Sequence, residues 1–213
     1  MRPKALIHGS RVMLLCAMLA AFLTGCSRDP NVRKQKYLQS GERYFEAGKY
    51  QEAAIEFRNA LKVDPNFSSA HYQLARTYIK FQDWPHAYEE LTHATEIEPE
   101  NLQAQVELAR LLIVAGNSDQ AKQQVDLLLK KWPQSSQSHL MNANLLAAQS
   151  NFAAAIPEMQ KAISLDPGSS DLYLNLALMQ TRSSETENPE PNFRKAIELD
   201  PKATNARLLL ASY

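Results

Sequence analysis

The chain lacks most of what fixes a small disulfide-bonded, metal-dependent or nucleic-acid-binding fold. Its 213 residues hold two cysteines and six glycines, with 23 Lys plus Arg against 23 Asp plus Glu. Cys16 and Cys26 both lie in the first 26 residues, so the rest of the chain has no thiol pair for a disulfide or a metal site. Packing alone must supply stability. A net charge of zero argues against nucleic acid as a partner, because phosphate binding needs a concentrated basic surface. No HExxH pair, Gly-rich phosphate loop or nucleophile elbow occurs, so neither a cofactor nor catalysis is expected. What remains is rich in Ala, Leu, Gln, Glu and Lys and poor in β-branched runs, a helical composition.

The amino terminus reads as a targeting segment. Arg2, Lys4 and Arg11 give a basic start, and residues 12–23 form an unbroken apolar run. Twelve residues are too few for a membrane span of about 20, but they fit a signal-peptide core. The run ends without an A-x-A site. Instead Leu23-Thr24-Gly25-Cys26 resembles the lipobox of bacterial lipoproteins. That resemblance implies that residues 1–25 are removed, that the Cys26 thiol carries a diacylglyceryl group, and that the new amine takes a fatty acid such as palmitate. Several acyl chains give stable membrane anchoring where one does not. Cleavage would remove three of the 23 basic residues and none of the 23 acidic ones, leaving the mature chain at −3. In Gram-negative lipoproteins an Asp after the cysteine favours inner-membrane retention, so the resemblance, with Ser27 at that place, implies an envelope protein of the outer membrane facing the periplasm. Residues 26–33 form the lipidated end and a polar tether reaching roughly 25 Å.

Beyond the tether a period appears in the prolines. Pro65, Pro99, Pro133, Pro167 and Pro201 stand 34 residues apart. They divide the chain into segments 34–67, 68–101, 102–135, 136–169 and 170–203, with 204–213 opening a sixth. Four columns keep register. One is small (Gly41, Ala75, Ala109, Ala143, Ala177). One is alanine (Ala53, Ala87, Ala121, Ala155). One is bulky (Phe57, Leu91, Val125, Met159, Phe193). The last reads Ala60, Ala94, Leu128, Ala162, Ala196. Segment one, with Gly41-x-x-Tyr44, Gly48-x-x-x-x-Ala53, Phe57, Ala60 and Asp64-Pro65, resembles the tetratricopeptide-repeat (TPR) family. The resemblance implies an all-α solenoid of antiparallel helix pairs A and B, coiled into a right-handed superhelix. Each proline follows a helix B that it cannot continue. Asn66, Asn101, Ser136 and Ser170 are the expected caps of the next helix A.

Segment five departs from this pattern. Pro189 replaces the alanine, inside a polar run that should delay helix B, with Asn188 as its cap and Pro189 in the first turn. Pro157 should bend helix B of segment four. Trp84 and Trp132, beside prolines at helix-B ends, are expected to pack. His71 and His139 share one early position of helix A, and Glu90-x-x-His93 has a metal-like spacing without converging partners. Surface or packing roles are expected for these histidines.

In the TPR family helix A lines a concave groove, and helical spacing then makes the second, fifth, ninth and twelfth positions of each segment inward-facing. The candidate partner groove is therefore Leu38, Glu42, Tyr72, Arg76, Val106, Arg110, Leu140 and Asn144. An apolar stripe with Arg76, Arg110 and Asn144 along one rail suits a protein or peptide ligand, helical or extended, that carries an acidic group. The Lys/Asn carboxylate clamp of chaperone-tail TPR proteins is disfavoured, since Leu38 and Glu42 occupy its places. The leading expectation is a membrane-anchored scaffold in envelope assembly or export, similar to the TPR lipoproteins of exopolysaccharide and protein-sorting systems. The alternatives are a pilotin-like lipoprotein serving a secretin or pilus, and the regulatory part of a longer enzyme.

Overall fold

A computed structural model describes residues 29–183 and 188–213. Cys26 and its lipobox lie outside the described residues. The chain divides into two compact units, one ending at Glu98 and one running Pro99–Tyr213. In the first unit α1 (Pro30–Glu46) packs on α2 (Tyr50–Val63), and α3 (Ser68–Lys80) on α4 (Trp84–Ile97). The second holds α5 (Leu102–Val114), α6 (Ser118–Lys131), α7 (Ser136–Ala148), α8 (Phe152–Leu165), α9 (Ser170–Arg182), α10 (Glu190–Leu199) and α11 (Thr204–Ser212). There too each helix packs on the next, and α5 also touches α7. No strand occurs among the described residues.

The aligned columns account for the core. Every residue of the small, alanine and fourth columns is buried, as are Phe57, Leu91, Val125, Met159 and Phe193; Pro189, standing in the alanine column, is also buried. Each buried large side chain contributes about 1.5–3 kcal/mol of transfer free energy. The small column sets the approach of helix A to helix B: a methyl added at Gly41 would overlap the Phe57 ring.

The turn from A to B is closed by the backbone. Lys49 N–H donates to Tyr44 C=O at 2.9 Å, and Asp83, Asn117 and Asn151 repeat the bond to Tyr78, Leu112 and Leu146. This closure requires a left-handed residue just past helix A. Gly48 and Gly116 supply it with φ 72° each, whereas Gln82 and Ser150 are forced to 58° and 60°.

Several expectations need correction. The first helix begins at Pro30, inside the supposed tether, because Asp29 accepts the Asn31 N–H at 2.8 Å and Pro30 fits the first turn. Of the expected caps only Asn101 acts as one, bonding Ala104 N–H at 3.1 Å. Asn66 precedes the cap position, Phe67, while Ser136 and Ser170 already lie inside their helices. Ser170 Oγ donates instead to the Ala196 carbonyl at 2.8 Å. Trp84 is 44% exposed, so core packing does not explain it. In segment five helix B is shorter: α10 has 10 residues where its counterparts have 14. Asn188 Oδ1 does accept the Glu190 N–H at 3.0 Å, but Pro189 is the boundary residue and the helix starts one residue after it.

Candidate functional site

Each unit carries its own ninth positions, Glu42 and Arg76 in the first and Arg110, Asn144 and Leu178 in the second. In the first unit, Gln73 Nε2 donates to Glu42 Oε1 at 3.1 Å, and Arg76 Nη1 donates to Gln73 Oε1 at 2.9 Å. The Arg76 guanidinium lies 4.7 Å from the Phe45 ring centre and 5.7 Å from that of Tyr72. Arg76 is therefore a half-buried cation held by an amide and two aromatic faces. The open cleft beside it, about 520 Å³, is lined by Glu42 and Glu46 as well as Arg76 and Lys80. Its balanced charges select no ligand of one sign.

The second unit is different. Arg110 on α5, Asn144 on α7 and Leu178 on α9 occupy the same repeat position, and the fold gathers them around one cleft of about 290 Å³. Ile113, Ala147 and Met179 contribute apolar lining, and Arg182 is a second cation in the same lining. Its lining residues include no acid. Arg110 is 52% exposed and only loosely paired with Glu107 at 3.9 Å, so its donors face the cleft and solvent. The Arg182 guanidinium lies 5.4 Å from the Phe152 ring centre. Two cations, two asparagine amides and apolar side chains therefore line one cleft, a combination whose chemistry complements a carboxylate next to an apolar group.

The other candidates divide by burial. Leu38 and Val106 are 8% and 3% exposed, so they pack in the core and do not face an open groove. Tyr72 and Leu140 are half-buried. Sequence reasoning missed Arg182. Its spacing from Leu178 was the available signal, since residues four apart share a helix face.

A second missed feature is a repeated histidine clamp. His71 Nδ1 faces Glu90 Oε2 at 2.5 Å and its Nε2 faces the Pro65 carbonyl at 2.9 Å. His139 repeats the arrangement with Glu158 at 2.7 Å and Pro133 at 3.1 Å. In both cases the Glu lies 19 residues after the His, a spacing visible in the sequence. At His71 burial works against the charge, but the Glu90 carboxylate and the Pro65 carbonyl outweigh it and raise the imidazole pKa above its ordinary value. Glu90 faces His71, while the ion-pair partner of His93 is Glu96, at 3.9 Å. Among the described residues no three His, Cys, Asp or Glu side chains gather in a metal-binding arrangement.

Family models for the TPR repeat match residues 41–82, 82–145 and 140–188, a continuous span covering well over half of the chain. The chain belongs to the tetratricopeptide-repeat family. Solved TPR structures share its fold. TTC0263 of Thermus thermophilus is 23% identical with a TM-score of 0.74, over 84% of this chain and 97% of that one. MamA of Desulfovibrio magneticus is 17% identical with a TM-score of 0.65, over 81% and 97%. YrrB, described as a TPR protein with an unusual peptide-binding site, is 17% identical with a TM-score of 0.56, over 81% and 89%. Comparison with curated protein sequences finds no match.

Proposed function

We propose that this TPR protein is a non-catalytic scaffold, anchored to a bacterial envelope membrane through lipid on Cys26, that holds a protein partner by an acidic, apolar peptide segment. The observation that carries the binding half is the cleft of Arg110, Asn144 and Arg182 over Ile113, Ala147 and Met179. Peptide binding is a use to which the TPR fold is put in YrrB. The anchoring half rests on the basic start, the apolar run and residues 23–26, with Ser27 favouring the outer membrane.

Selection of displayed random peptides on the purified protein tests the cleft. Enriched sequences should pair Asp or Glu with Leu, Ile or Phe. Arg110→Ala with Arg182→Ala should raise the Kd of a selected peptide tenfold or more, at least about 1.4 kcal/mol, with melting unchanged. Unchanged affinity in a folded double variant would place binding elsewhere. The anchor is read separately: Cys26→Ser should abolish labelling by a clickable fatty acid.

A further inference from the structure

One face of α1 departs from all its counterparts. The third, seventh and tenth positions of segments two, three and five are buried: Ala70, Leu74 and Thr77, then Ala104, Leu108 and Leu111, then Leu172, Leu176 and Met179. In segment four Ser138 and Leu145 are buried as well. In segment one the same positions are Lys36, Ser40 and Arg43, and Lys36 and Arg43 are exposed. Arg33 continues the line, so residues 33, 36, 40 and 43 form one stripe along the helix at its natural spacing. The stripe lines an open cleft of about 260 Å³ with Val32, Tyr37 and Glu56.

A polar face is what a terminal repeat needs for solubility, and either sign of charge would serve. Here three cations meet one acid. None of Arg33, Lys36 and Arg43 has an ion-pair partner among the described residues, whereas Lys34, between them, is taken by Asp64 at 2.6 Å. Val32 is 49% exposed at the end nearest the amino terminus, and Tyr37 offers an apolar body with a polar tip. This basic stripe lies on a chain whose mature net charge would be −3.

We infer that this face of α1 docks on the headgroups of anionic phospholipids. The inference rests on the lipid-anchor reading for its location: Cys26 precedes the helix start at Pro30 by four residues, at most about 14 Å of chain. Attraction between basic side chains and an anionic surface acts within a Debye length of about 8 Å, a distance that such a short link makes accessible. The stripe then presses the first repeat onto the bilayer, and the peptide cleft of the second unit takes no part in it.

A single fluorophore tests this in the mature protein. Cys16 leaves with the signal peptide and Cys26 is alkylated, so Gln39→Cys, on an exposed position between Lys36 and Arg43, gives one free thiol. A nitrobenzoxadiazole group there should brighten and shift to the blue on vesicles of phosphatidylcholine mixed with phosphatidylglycerol, and not on phosphatidylcholine alone. High salt, or Lys36→Glu with Arg43→Glu, should abolish the change; should that pair lower melting, the exposed Arg33→Glu serves instead. Equal emission on both vesicles would overturn the inference. So would a concentration-dependent change without vesicles, which would assign the face to a second copy of the chain. Intact mass reports acylation independently. Should intact mass show no acyl groups, the anchor is refuted; Cys16→Ser and Cys26→Ser then leave residue 39 as the one labelled thiol, and a response to anionic vesicles alone keeps the docking face.

Discussion

Helix pairs α7–α8 and α9–α10 carry the same packing columns on scaffolds of different length. Ala143 and Met159 in one, and Ala177 and Phe193 in the other, are all buried. Yet α8 has 14 residues and α10 has 10. The register shows where the turn was lost. Helix α8 ends at Leu165 and α10 ends 34 residues later at Leu199, so only the start of α10 has moved. Pro189 and Pro191 are the cause. Inside a helix each would remove a backbone bond and clash with the preceding turn, at about 3 kcal/mol apiece. Starting at Glu190 leaves Pro189 outside and places Pro191 in the first turn, where its missing N–H costs nothing. A single proline behaves differently: α8 continues through Pro157. A TPR helix pair therefore tolerates losing the first turn of helix B so long as its bulky residue remains seated.

The largest effects should come from unseating that residue. Met159→Ala should cost about 2–5 kcal/mol and Phe193→Ala about 3–5 kcal/mol, both read by urea unfolding. If Phe193→Ala costs under about 1 kcal/mol, the shorter pair is not held by the same packing, and the comparison breaks.

Overpacking the alanine column comes next. Ala155→Leu should destabilise by about 1–3 kcal/mol, because Ala155 has no exposed surface. Pro189→Ala should destabilise by about 1–2 kcal/mol, through the buried ring methylenes it removes and not through any helix bond, since the residue sits outside the helix. Hydrogen exchange should be faster at 188–192 than at 152–156. Equal protection would mean that the missing turn is compensated by other contacts.

The two pairs also differ at the fourth position of helix A, where His139 and Tyr173 stand, and His71 is the equivalent in the first unit. Burial lowers the pKa of His71, but Glu90, the Pro65 carbonyl and Asp64 together outweigh it, so the pKa is raised on folding. The ring of His93 lies 5.3 Å away, and Lys34 binds Asp64. A raised folded pKa stabilises fully below the unfolded value of about 6.5 and loses that stabilisation as pH rises through the folded value. The melting temperature should therefore fall across that window, and His71→Gln should flatten the fall. A parent profile that rises with pH there would refute the assignment.

How much of this was legible in the sequence depended on what kind of interaction was at stake. The packing columns were legible because burial between regularly spaced helices repeats with the same period as the chain. Of the ninth positions, the fold gathers Arg110, Asn144 and Leu178 around one cleft. The rail was not uniform, however. Arg76 is engaged by Gln73, Phe45 and Tyr72, contacts set by neighbours that do not repeat. Caps failed for a local reason: a Ser or Asn one residue from the boundary loses its geometry, so Ser170 bonds Ala196 instead. The helix start at Pro30 was hidden by reading Asp29-Pro30 as tether when it is a cap.

The smallest effect tests the turns. Ser150 holds φ 60° at the position where Gly48 and Gly116 hold 72°, and the matching residue of the last pair, 184, lies outside the described residues. A left-handed conformation costs a residue with a Cβ roughly 1–2 kcal/mol, while glycine adds unfolded-state entropy worth about 0.4–1 kcal/mol. The two oppose each other, so Ser150→Gly should stabilise by no more than about 1.6 kcal/mol. Gly48→Ala gives the reverse change in a turn where an added Cβ meets no atom within 4 Å, so backbone strain and chain entropy are measured without a steric clash. It should destabilise by a similar amount. If Ser150→Gly destabilises while Gly48→Ala also does, then the serine makes a contribution in its turn that backbone strain does not describe. The short A-to-B turns would then be tuned pair by pair, as the helix-B starts are.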